Sequence, residues 1–176
     1  MSIGVFGIGN VLMGDDAIGP AVVGWIASNF EMHEDVVLED LGTPGLELPT
    51  HLVGHDTIVF IDAVAGDAAP GTVVRFEREE IVRFAPGIRL TPHDPALKET
   101  LLMLELTENS PSDVYLIGIV PRSTAMGSGL SDELRATIPA AGHAVLAELE
   151  RLGAPATFRR EPEPAHYWWD VVCEEA

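Results

Sequence analysis

A chain of 176 residues, 47% hydrophobic and 22% charged, has the size and composition of one folded domain around a sizeable core. Its net charge of −18 argues against nucleic acid and anionic membrane surfaces as partners, which a like-charged surface repels, and leaves a metal cation or a basic partner easier to accommodate. One cysteine, Cys173, excludes an internal disulfide and a cysteine-based zinc site; with no basic leader and no apolar run of the ~20 residues a bilayer requires, a cytoplasmic protein is expected.

"SIGVFGI" (2–8) opens the chain as a buried strand, rich in apolar residues and bounded by turn signals. It runs into "GIGNVLMGDD" (7–16), where two glycines lead to the adjacent acids Asp15 and Asp16. A phosphate-cradling loop wants backbone amides and a cation at that point, because a carboxylate repels phosphate. The loop therefore either caps a helix or grips something positive. Ile18, Val22, Trp25 and Ile26 then fall on one helical face, and Pro20 suits a first turn, which places the helix start near residues 17–19. "DVVLEDL" (35–41) and "DTIVFIDA" (56–63) are the next buried strands, and "TPGLELPTHLVG" (43–54) between them predicts a short helix broken at Pro49. "GTVVRFE" (71–77) alternates as an edge strand does.

Beyond "HDP", Leu97, Leu101 and Leu104 mark a helix with Asp94 as N-cap and Pro95 at its first position. "DVYLIGIV" (113–120) is the last strong strand. Leu134, Ile138, Ala141, Val145, Leu149 and Leu152 keep a helical period, with Ser131 as cap, Gly153 past the end and a bend or one lost hydrogen bond at Pro139. Strands alternating with helices, and nearly continuous apolar runs in the strands, predict an α/β fold: a three-layer α/β/α sandwich with a mostly parallel, twisted sheet of about five strands. Residues 1–153 form its single domain. The tail, 154–176, is proline-rich and then aromatic; it is expected to leave the core, with "HYWW" (166–169) as a patch packed on the body.

In such a sheet the functional loops gather at the carboxyl ends of the strands. Asp15 and Asp16 follow the first strand, Asp62 ends the third, and His93 stands at a loop–helix junction. Two carboxylates and an imidazole from separate loops suit a hard-to-borderline divalent metal, with positions left open for water or substrate. Each also has a plain structural alternative. An Asp before a helix caps it or meets its positive end, an Asp closing a strand bonds neighbouring loop amides, and a lone loop His is a hydrogen-bonded surface residue. Other chemistries lack their signatures. Leu12 stands where a dinucleotide loop needs its third glycine, and Asp40 lies too far along the chain to serve as the ribose-binding acid. No G-x-S-x-G elbow or H-E-x-x-H helix exists.

"GIGNVLMGDDAIGPAVV" resembles the opening motif of the hydrogenase maturation proteases, the endopeptidases that finish the large subunit of [NiFe] hydrogenases. The likeness continues through "LEDLGTPGLEL" (38–48), "VFIDAVAGDAAPGTV" (59–73), "LTPHDPALKETL" (90–101) and "YLIGIVPRSTAMGSGLS" (115–131). It implies a metal-contacting site of Asp16, Asp62 and His93, with Asp40 and "GTPG" (42–45) lining the same cleft. For catalysis, either the metal polarises the scissile carbonyl or lowers the pKa of a bound water, or Asp16 or Asp62 acts as general base with nickel as a recognition handle. It further implies a monomeric endopeptidase that removes the C-terminal extension of a nickel-loaded large-subunit precursor, the Ni²⁺ being carried by the substrate. No covalent nucleophile is on offer, so direct attack by water is expected. A non-catalytic module that only binds metal or precursor is the alternative.

Overall fold

A computed structural model of the chain describes residues 1–84, 97–106, 110–127 and 129–171. In chain order the elements are β1 (Ile3–Ile8), α1 (Ile18–Asn29), β2 (Phe30–Glu31), β3 (Val36–Gly42), α2 (Leu48–Leu52), β4 (Thr57–Ala63), β5 (Val73–Glu77), α3 (Arg78–Phe84), α4 (Leu97–Leu106), β6 (Asp113–Ile119), α5 (Asp132–Arg151), β7 (Thr157–Phe158) and α6 (Trp168–Val171). Five strands form one sheet in the order β3-β1-β4-β6-β5. The first four run parallel and β5 closes one edge antiparallel to β6. This is the expected mostly parallel sheet with helices, and the edge strand expected over 71–77 is β5, Val73–Glu77.

The continuous apolar runs follow from burial on both faces. Side chains alternate across a strand, so Val5, Val59, Ile61, Ile117 and Ile119 face α1 and α5. Phe6, Ile8, Ile58, Phe60 and Leu116 face the opposite core with residues of α2, α3 and α4. At the sheet end of α5, Glu148 is buried, yet its carboxylate is held by Arg75 (2.8 Å) and Arg151, which both lie over the Tyr115 ring. Burial alone would raise the Glu148 pKa, but hydrogen bonds from Arg151 and Arg75 hold it below the ordinary value.

Three local expectations change. Pro49 sits at the start of α2, where its missing N–H costs nothing, instead of breaking a longer helix. Ser131 occupies the N-cap position of α5 without making a side-chain cap bond, while Pro139 lies inside the continuous helix, where it has no N–H to donate, as the expected one lost hydrogen bond requires. The chain beyond Gly153 stays on the body: β7 pairs antiparallel with β2. Within that segment the expected aromatic patch does lie on the body: Tyr167, Trp168 and Trp169 pack against the α1/α5 core, with Tyr167 and Trp169 stacked at 4.3 Å.

Candidate active site

The parallel strands end together, so the loops after β3, β1, β4 and β6 share one edge of the sheet. The loop after β1 reaches α1 through a short 3-10 turn, Gly14–Ala17, that carries both acids. Two glycines permit its path. A Cβ on Gly9, whose φ is +150°, would lie 1.9 Å from the Asp16 carbonyl oxygen, and a Cβ on Gly19 would lie 2.3 and 2.4 Å from the carbonyl oxygens of Ile8 and Ile61. The first turn of α1 therefore rests on the very ends of β1 and β4, and Asp62 is the residue after that contact.

This packing brings Asp16 and Asp62 together. Asp16 is half-buried, and its Oδ2 accepts the Asn10 N–H at 2.8 Å. Burial raises its pKa above the ordinary carboxylate value, partly offset by that bond. Asp62 is only 5% exposed, and its Oδ1 accepts the N–H of Ala63 at 2.7 Å. Burial, reinforced by the charge of Asp16, pushes its pKa well up, as two acids sharing a poorly solvated site must do. Among the described residues no basic side chain is paired with either acid. Such a pair can accept a proton from water or meet a cation. His93 lies outside the described residues, and no group of three or more His, Cys, Asp or Glu poised to hold a metal occurs among those described.

Asp40 closes β3 at the same edge, on the other side of β1 from Asp62. It is exposed and turns its Oδ1 onto the Gly42 N–H (2.8 Å), while the Gly42 carbonyl accepts the N–H of Gly9 (2.9 Å), so the 42–45 loop adjoins the loop of the two acids. Asp15 is different again. At 1% exposure its carboxylate accepts four hydrogen bonds, from the N–H groups of Arg122, Ser123 and Ser131 and from the Ser131 hydroxyl. It caps neither its own turn nor α1. Sequence spacing carries no signal for this role, because the partners lie 107 to 116 residues further on.

Residues 20–148 match the hydrogenase maturation protease family. The chain is 32% identical over 160 residues to the hydrogenase 2 maturation protease of Escherichia coli K12, covering 90% of this chain and 97% of that one. The solved structure of the hydrogenase maturating endopeptidase HybD from E. coli superposes with a TM-score of 0.82 at 33% identity, over 90% of this chain and 98% of that one. The [NiFe] hydrogenase maturation protease HybD from Thermococcus kodakarensis follows at 0.66 and 30%, over 86% and 99%.

Proposed function

The chain belongs to the hydrogenase maturation protease family and is a hydrolase, and we propose that it removes the C-terminal extension of a [NiFe] hydrogenase large-subunit precursor once nickel has been installed. The observation that carries this reading is the Asp16–Asp62 pair: two carboxylates at one sheet edge, one of them buried, with no basic partner among the described residues. Such a pair suits a cation brought from outside. Ni²⁺ in the precursor is a borderline ion that takes oxygen and nitrogen ligands, so Asp16, Asp62 and His93 are the residues assigned to meet it. Specificity then comes from metal occupancy, because an empty precursor leaves the two charges uncompensated.

For the cleavage itself, Asp16 and Asp62 are the candidate general bases, a role supported by their shared position at one sheet edge and by burial that raises the pKa of both. One of the pair takes the proton of the attacking water, and nickel in the precursor holds the scissile segment against it. The enzyme is taken to act as a monomer in the cytoplasm. No described helix is long and apolar enough to cross a membrane.

Intact-mass analysis of nickel-loaded and nickel-free precursor, each incubated with this protein, tests the proposal. Loss of a C-terminal peptide from the loaded form alone is the expected result. Cleavage of both forms would remove the nickel gate, and cleavage of neither would favour a module that binds the precursor without cutting it.

A further inference from the structure

We infer that Asp15 is a positioning residue: its buried carboxylate ties the loop after β1 to the loop after β6 and thereby fixes where Asp16 stands beside Asp62. The inference rests on the assignment of Asp16 and Asp62 as the working pair.

Three main-chain bonds already join the two loops, from Gly14 N–H to Gly127 (3.0 Å), from Asp15 N–H to Ser123 (3.1 Å) and from Gly127 N–H to Leu12 (3.0 Å). The carboxylate adds four more. Oδ1 accepts the N–H of Ser131 at 2.7 Å, and Oδ2 accepts the N–H groups of Arg122 (2.9 Å) and Ser123 (3.1 Å) and the Ser131 hydroxyl (3.0 Å). An ionised carboxylate is costly to bury, and it is tolerated where donors replace the lost water. All four donors here come from one stretch, 122–131, which also leads into α5.

Asp16 inherits the consequence because it is the next residue in the same 3-10 turn. Its backbone is fixed on three sides. Asp15 anchors the preceding residue, the Gly9 backbone lies against the Asp16 carbonyl, and α1 begins two residues on with Gly19 seated on Ile8 and Ile61. Only the first of these restraints runs through a side chain that can be altered without touching the sheet or the helix. The Asp15 carboxylate is 1% exposed and both of its oxygens accept from the protein, so the proposal gives it a role toward the loops and not toward substrate.

The test is Asp15→Asn, with Ser131→Ala as a milder companion that removes one donor and leaves the carboxylate in place. An amide presents –NH₂ on one side, so at least one of the three N–H groups loses its acceptor, while the main-chain bonds keep the loops joined. Under saturating nickel-loaded precursor, the cleavage rate per folded molecule is expected to fall about 10²-fold in Asp15→Asn, the scale of a ~1 Å misplacement. Ser131→Ala should fall by less. Binding of the loaded precursor should change only a few-fold in both, because the charge of Asp16 remains.

Amide exchange supplies a readout independent of cleavage. Among the described residues no hydrogen bond joins Asn10 to Asp15, yet the Asn10 N–H is held by Asp16 Oδ2, so its protection should drop in Asp15→Asn. Unchanged Asn10 protection alongside exposed Arg122 and Ser123 amides would reduce Asp15 to a loop tie and overturn the inference. A wild-type rate in folded Asp15→Asn, or in Ser131→Ala should the first variant not fold, would overturn it equally. Failure of the wild-type protein to cut either precursor would instead remove the proposed function, and the Asn10 amide would still decide the positioning role.

Discussion

Gly19→Ala tests how closely the candidate site depends on the seating of α1. The added Cβ would lie 2.3 Å from the Ile8 oxygen and 2.4 Å from the Ile61 oxygen, whereas ordinary contact begins at 3.4 Å. Both obstacles are main-chain carbonyls at strand ends, so no rotamer change relieves them and the helix must lift by about 1 Å, an over-packing strain that typically costs about 1–3 kcal/mol. Alanine recovers up to ~1 kcal/mol of helix propensity. With rigid obstacles the strain belongs at the upper end, which leaves a net loss of about 2 kcal/mol and a fall in Tm of about 4–8 °C for a domain of this size. Lifting α1 also moves the turn that carries Asp16 away from Asp62, so cleavage of loaded precursor should drop about 10²-fold. Gly24→Ala in the same helix is the control, since its Cβ would meet only the Tyr167 ring edge at 3.9 Å. That variant should melt higher than wild type. Thermal melts and cleavage assays on both variants decide the matter. A Gly19→Ala protein that melts and cuts like wild type would refute the claim that this close approach builds the site.

Asp62→Asn should abolish processing and at the same time raise Tm at neutral pH. The folded state lifts the Asp62 pKa above its unfolded value, so the folded protein binds this proton more tightly. Stability from this group is therefore fully present below the unfolded value of ~3.9 and is lost as pH rises through the folded pKa. Each tenfold displacement of the equilibrium costs about 1.4 kcal/mol at neutral pH, which the neutral amide escapes. The Tm gap should close on acidification toward ~pH 4, and a variant less stable than wild type at pH 7 would contradict the burial argument. Activity of the wild type should fall along an acid limb centred above the ordinary carboxylate range, because the pair must be ionised to meet a cation; a limb at the usual carboxylate value would count against Asp62 as base. His93→Ala should weaken binding of the nickel-loaded precursor and leave the nickel-free form unaffected, as read by calorimetric titration. Equal affinity of wild type and variant for the loaded form would remove His93 from the site.

The strands were legible because a sheet covered on both faces demands unbroken apolar runs, and "TIVFIDA" or "VYLIGI" can satisfy little else. α5 was legible because twenty residues give a 3.6 period room to repeat. α3 was not, since "REEIVRF" is short and buries Ile81 on a face too narrow to show a period. The β2–β7 pair is two residues long and joins segments from opposite ends of the chain, a contact that no local pattern announces. For the site, the placement of Asp16 and Asp62 on one edge followed from strand ends in a parallel sheet. The duty of Asp15 did not, because a carboxylate beside a helix start looks the same whether it caps that helix or reaches across to a distant loop.

Adjacent acids thus come to opposite ends through their surroundings alone. Four donors satisfy Asp15, so it neither seeks a cation nor offers one a ligand. Asp16 and Asp62 hold one backbone amide each, burial opposes the ionisation of both, and the charge of Asp16 adds to the cost at Asp62. A pair left in that condition is unfavourable until positive charge arrives, and divalent charge relieves both members at once. On the proposed reading, a nickel-loaded precursor brings that relief and an empty one does not, so the carboxylate pair gates on the metal alongside the ligand role assigned to His93. It also follows that the overall acidity of the chain is a secondary influence. Exposed charges are screened beyond about 8 Å at physiological ionic strength, whereas charges at a buried or half-buried site are screened less, so on the proposed reading the discrimination lies with the site residues and not with the overall charge.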